Sequence, residues 1–212
     1  MRKCLMLLGA AMLLSLIPAV SAEAQSRRAA GFAMAPNRSK LRVDGETGGG
    51  WRWGWQGGGY VQQPVAANGL VGVRLEGWYM QKGEENFGGV VNSSIRINYI
   101  EFPLLLVVGT PFDRRSAMRI SAYAGGTFAV RVSCNITVAS GIDVESGNCS
   151  SFDADVSGTD YGLLGGASLG LRNFFIDFRY DYGLKGILNN SDTSVKNVSY
   201  ALSFGVIMPI DN

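Results

Sequence analysis

Histidine is missing from all 212 residues. That removes the commonest general base, a common metal ligand and most Ser/His or Cys/His nucleophile arrangements. Catalysis therefore finds little support, and no catalytic residue, cofactor or metal is expected. Charge is sparse and nearly balanced, with 19 basic and 17 acidic residues for a formal +2. Such a balance offers no footprint for nucleic acid. Long apolar runs are scarce as well. After Ala24 the longest candidate, Phe102 to Phe112, contains Pro103 and Pro111, so no helix is expected to cross a bilayer. A phosphate loop is absent too: Gly45 to Gly59 is glycine-rich, but Trp51, Trp53 and Trp55 interleave and no helix follows.

One long apolar run is present, from Cys4 to Val20, preceded by Arg2 and Lys3 and followed by Ser21-Ala22-Glu23-Ala24. This is the layout of a secretory signal peptide, with cleavage expected after Ala22 or Ala24. Residues 25–212 then form one domain of ordinary size.

The segment Phe174 to Lys185 carries the most information. Phe174, Ile176, Phe178, Tyr180, Tyr182 and Leu184 alternate with Asp177, Arg179, Asp181, Gly183 and Lys185. Period-two alternation over a dozen residues is a β-strand with one apolar and one charged face. Its length suits an outer-membrane barrel, apolar face to lipid and charges inward. Similar segments are read at about 28–35 (weakly), 51–63, 70–83, 95–108, 119–133, 161–171, 174–185 and 198–210. Connections read as long after the odd segments and short after the even ones, the rhythm of outer loops and periplasmic turns. The expected fold is all-β: an eight-stranded antiparallel transmembrane up-and-down β-barrel in the bacterial outer membrane.

The runs Gly77-Trp78-Tyr79-Met80-Gln81-Lys82-Gly83 and Tyr99-Ile100-Glu101-Phe102-Pro103-Leu104-Leu105 resemble the outer-membrane β-barrel family that includes the PorT-like proteins of Bacteroidetes. Ala122 to Gly126, Tyr161 to Gly166 and Phe178 to Gly183 are similar to its later strands. The resemblance implies a small outer-membrane barrel. Through the family's name it also implies a link to gliding and secretion apparatus, with surface or secretion-assembly proteins as partners.

An interior charge network is expected from Arg74, Glu76, Glu101, Arg119, Arg131, Asp177, Arg179, Asp181 and Lys185, joined by Arg52, Lys82 and Tyr123. An eight-stranded lumen is just wide enough for side chains to fill, so mixed charges there read as packing and not as an ion path. Placing Glu101 inward needs a bulge near Ile100 if Ile95 faces lipid, and Pro103 makes one plausible. Trp51, Trp53, Trp55, Tyr180 and Tyr182 read as an aromatic girdle at the membrane boundary. Cys134 and Cys149, the pair left after export, are expected to form a disulfide. Asp143, Glu145, Asp153, Asp155 and Asp160 form an acidic stretch without Lys or Arg, read by default as a solvated surface, with a calcium site as the alternative.

The functional expectation is a non-enzymatic barrel: a monomer in outer-membrane lipid, acting through outer loops or within a surface or secretion assembly. The alternative is a soluble periplasmic or secreted barrel holding an apolar ligand in its lumen, in the lipocalin manner. That alternative turns Phe178 inward and Arg179 outward.

Overall fold

The computed structural model describes residues 28–43, 49–66, 68–86, 92–110, 118–140, 143–152, 154–188 and 194–210. The signal-peptide reading of residues 1–24 lies outside them. The strands are β1 (Arg28–Val43), β2 (Gly50–Pro64), β3 (Val71–Glu85), β4 (Ser93–Gly109) and β5 (Met118–Ser140). They continue with β6 (Asp143–Asn148), β7 (Thr159–Leu171), β8 (Phe174–Gly183) and β9 (Val195–Ile210). Each pairs antiparallel with its chain neighbour from β1 to β5. β5 then pairs with β7, and β1 returns to β9 to close the ring. β6 pairs only with β5, as a hairpin projecting beyond the wall. The barrel proper is therefore eight-stranded, and closure leaves no wall edge unpaired in lipid.

Alternation decides which face each residue takes. Along β8, Phe174, Ile176, Phe178 and Tyr180 are exposed outward while Asp177, Arg179 and Asp181 are buried. Phe102, Leu104, Leu106 and Val108 of β4 continue the outer apolar belt, as do Leu202, Phe204, Val206 and Met208 of β9. A soluble barrel could not leave so much contiguous apolar surface in water. In a membrane it is the surface that meets the acyl chains.

Several expectations are corrected. β1 runs eight residues past the weak segment foreseen, to Val43. Its outer half carries Pro36, Asn37, Arg38 and Lys40, residues that disguise a strand. The span foreseen as one long loop from Cys134 to Asp160 is instead largely strand, because β5 continues to Ser140 and β6 folds back on it. The alternation of long and short connections is also uneven. The spans 44–49 and 86–92 are about as short in sequence as 65–70 and 110–117, because the strands on either side are longer than expected.

Glu101 points inward, but not through a bulge near Ile100. Ile95, Ile97 and Tyr99 all face inward with it in unbroken phase. The irregularity lies on the partner, where β5 accommodates an extra residue between Arg131 and Ser133 against Tyr99 and Asn98. A second sits at Gly83, whose φ of +146° favours glycine. A Cβ there would collide with the carbonyl of Ile95.

Candidate functional site

The lumen is layered. Nearest the chain termini, Tyr60, Phe175 and Ile207 pack in an apolar cluster with Ala29, Ala33, Trp78 and Met80. The aromatic rings fit because glycine stands opposite: Tyr60 lies over Gly31, Tyr123 over Gly166 and Phe175 over Gly205. Any side chain at those glycines would need the ring's space.

Charge occupies the middle. β8 supplies Asp177, Arg179 and Asp181 at successive inward positions, and β3 faces them with Arg74, Glu76 and Lys82. Arg179 donates from Nη1 to Glu76 Oε2 at 3.1 Å and from Nε to Asp177 Oδ2 at 3.2 Å. Its guanidinium also lies 4.1 Å from the centre of the Trp78 ring, whose Nε1 donates to the same Glu76 oxygen at 2.6 Å. Tyr123 Oη donates to the Asp177 carboxylate at 2.8 Å. Arg74 pairs with Glu76 at 3.7 Å, donates to Gln62 Oε1 at 2.9 Å and covers the Tyr60 ring at 4.3 Å. Farther outward, Lys82 donates to Glu101 Oε2 at 2.6 Å and to Asp181 Oδ2. These charges are almost entirely removed from solvent, with Glu101 at 0% and Asp177 at 1% exposure. Buried ions persist only when paired and hydrogen-bonded, and each of these side chains is so held through at least one atom, although Glu76 Oε1 and Glu101 Oε1 have no hydrogen-bond partner among the described residues.

The outer end is closed by an apolar cluster of Leu41, Ile95, Ile97, Tyr99, Ile136, Val156, Ile187 and Val195. The Cys134–Cys149 disulfide belongs to it, with its Cα atoms 5.4 Å apart. The bridge ties the base of the β5–β6 hairpin to the 3₁₀ turn Cys149–Phe152. On loop-entropy grounds such a closure stabilises by about 3 kcal/mol. Changing both cysteines to alanine should therefore raise protease cleavage between residues 140 and 158 while the barrel keeps its compact gel mobility. Loss of that mobility would show that the bridge holds the wall and not the cap.

The structure thus brings Arg74, Glu76, Asp177 and Arg179 together in one group and Glu101 and Asp181 together around Lys82 in the next layer outward. It leaves three foreseen members outside both groups. Arg119 sits at the inner rim and donates to the Arg172 carbonyl. Arg131 is only half-buried, beside the irregularity in β5. Lys185 lies beyond the end of β8, donating to Ser157 Oγ at 2.8 Å and Thr159 Oγ1 at 2.9 Å. A serine beside a lysine can be a nucleophile and its base. Here the Ser157 hydroxyl donates to the Thr159 carbonyl at 2.9 Å while Lys185 donates to both hydroxyls, an arrangement of an ammonium holding a turn.

Asp160, expected in the solvated stretch, is buried. It is the second residue of β7, faces inward at 3% exposure and accepts from Asn197 Nδ2 at 2.7 Å. Trp78, Met80 and Tyr99 were not foreseen in the lumen. Trp78 and Met80 stand in phase with Glu76 and Lys82, a signal overlooked because aromatic and apolar residues were assigned to lipid. Trp51, Trp53, Tyr180 and Tyr182 lie on the outer face of the wall toward its outer end, with Trp55 lower on the same row.

A closed antiparallel barrel with a lipid-facing belt and a charged, filled lumen is a transmembrane barrel of the bacterial outer membrane. The chain belongs to the outer membrane protein beta-barrel domain family, whose model matches residues 23–189. No curated protein matches it significantly. Among solved structures it is similar to Ail, the attachment invasion locus protein of Yersinia pestis, in complex with the heparin analogue sucrose octasulfate. That likeness has 16% identity and a TM-score of 0.44, covering 86% of this chain and 99% of that one. Neisserial surface protein A matches at 15% identity and a TM-score of 0.45, covering 84% and 96%. The outer membrane enzyme PagL matches at 16% identity and a TM-score of 0.48, covering 86% and 99%. The structures it resembles thus include an enzyme.

Proposed function

We propose that this chain is a non-enzymatic, monomeric outer-membrane barrel that acts through its outer surface, either by binding there or within a surface or secretion assembly. The carrying observation is the filled lumen. Arg179, Glu76, Asp177, Lys82, Glu101 and Asp181 occupy its middle, and the cluster around Ile97, Tyr99 and Ile187 occupies its outer end. A pore needs open cross-section, which eight strands with long side chains do not leave. The absence of histidine supports the non-enzymatic reading. The PorT-like resemblance favours an assembly role. What remains for contact with other molecules is the rim, above all the β5–β6 hairpin with exposed Asp143, Val144 and Glu145.

The test is electrical. Purified protein inserted into planar bilayers is expected to give no discrete conductance steps. Reproducible single-channel steps would make the lumen a path and overturn the surface reading.

A further inference from the structure

The outward row of β1 changes character along its length. Phe32, Met34 and Pro36 are exposed within the apolar belt, and the next residues on that face are Arg38, Lys40 and Arg42. In the register with β9, Arg38 stands opposite Tyr200, Lys40 opposite Val198 and Arg42 opposite Lys196. Trp53 flanks Arg38 from β2. The Arg38 guanidinium lies 5.0 Å from the centre of the Trp53 ring, and the Lys40 ammonium 4.9 Å from that of Trp51. Trp51 meets Tyr200 edge-on at 5.0 Å.

These cations face sideways, away from the lumen, where the acyl-chain belt gives way to headgroups. A charge turned toward lipid is costly unless a headgroup or water receives it. None of Arg38, Lys40 and Arg42 forms an ion pair among the described residues, and Arg38 Nε is buried without a hydrogen-bond partner there. Two carboxylates stand nearby. Glu84, buried, acts on Lys40, and Glu85, exposed at the rim, acts on Arg52. Among the described residues they leave this face predominantly positive.

Both termini of an outer-membrane barrel lie on the periplasmic side, which puts this cationic end of β1 at the outer leaflet. We propose that the β2–β1–β9 wall binds the phosphorylated sugar headgroup of an outer-leaflet glycolipid. Arg38 and Lys40 take one phosphate, Arg42 reaches a second, and Trp51 and Trp53 lie against the sugars. The acyl chains then run down Phe32, Met34, Leu202 and Phe204. Guanidinium and ammonium groups suit phosphate, and cation–π contacts hold them in place with donors still free to point outward.

The experiment uses purified protein in zwitterionic micelles, titrated with bisphosphorylated lipid A and with its fully dephosphorylated counterpart, read by tryptophan fluorescence. Wild-type protein is expected to bind the phosphorylated form at least about tenfold more tightly, each basic side chain near an anionic surface contributing several-fold. The advantage should shrink at high salt. R38Q/K40Q/R42Q should lose it, whereas R96Q, an exposed cation on the β4 wall, should keep it. Equal affinity for both lipids in the wild type would overturn the proposal even if the triple variant failed to fold. So would an undiminished preference in a folded triple variant. Competition by inorganic phosphate or polyglutamate at the affinity of the lipid would also overturn it, by making the patch a free-anion or acidic-protein site.

Discussion

Changing Lys82 to methionine is expected to lower the unfolding free energy by about 3–5 kcal/mol, the usual consequence of removing one partner from a buried ion cluster. Lys82 donates to both Glu101 and Asp181, and all three side chains are at most 4% exposed. Without the ammonium, two carboxylates face each other in a lumen closed above by the cluster containing Tyr99, with Asp160, the second residue of β7, nearby. Urea unfolding in lipid vesicles, followed by the loss of compact gel mobility, reads the cost. The triple change K82M/E101Q/D181N should recover most of the loss, because the two carboxylates that Lys82 contacts are then uncharged. A K82M barrel within about 1 kcal/mol of the wild type would mean that water reaches this layer freely and that the lumen is not packed.

Leu104 tests the other face. It is 58% exposed in the middle of the apolar belt, between Phe102 and Leu106. An arginine there is expected to cost about 2–4 kcal/mol in a bilayer, as charges do at the midplane of a lipid-facing wall. Vesicle unfolding of L104R measures this. In a soluble barrel with an apolar-ligand lumen, the same substitution on a water-facing surface would be nearly neutral and would improve solubility. A neutral L104R would therefore return the discarded soluble alternative to consideration.

Alternation made the strands legible but not always which face was inside. β8 was unambiguous, because its charged row, Asp177, Arg179 and Asp181, could not face lipid. The outer part of β4 was ambiguous: Ile95 and Ile97 are apolar, yet they face inward because the outer lumen is an apolar plug. A period of two fixes the phase of a strand, and an apolar residue on either face satisfies it. The outer half of β1 was illegible for a related reason. Its outward row turns from Phe32 and Met34 to Arg38 and Lys40 as it leaves the acyl chains, while Pro36 and Asn37 look like a turn. The Lys82 cluster was partly legible, since its members share inward rows. Which members meet was not, because contact across the barrel depends on the stagger of strands distant in sequence. Hence Arg119, Arg131 and Lys185 belong to the expected network by pattern but meet none of its other charges among the described residues. The disulfide was legible from the two cysteines that lie beyond the amino-terminal apolar run, Cys134 and Cys149; its place within the apolar cap was not.

The assignment of faces is tested most directly by the four tryptophans. Trp51, Trp53 and Trp55 lie on the outer face, and Trp78 is buried in the lumen at 2% exposure. In vesicles of chain-brominated lipid, wild-type fluorescence should be strongly quenched, while W51F/W53F/W55F, which retains only Trp78, should be nearly unaffected. Strong quenching of Trp78 in that folded variant, with the three outer tryptophans of W78F left bright, would turn the barrel inside out and contradict the lipid-facing belt.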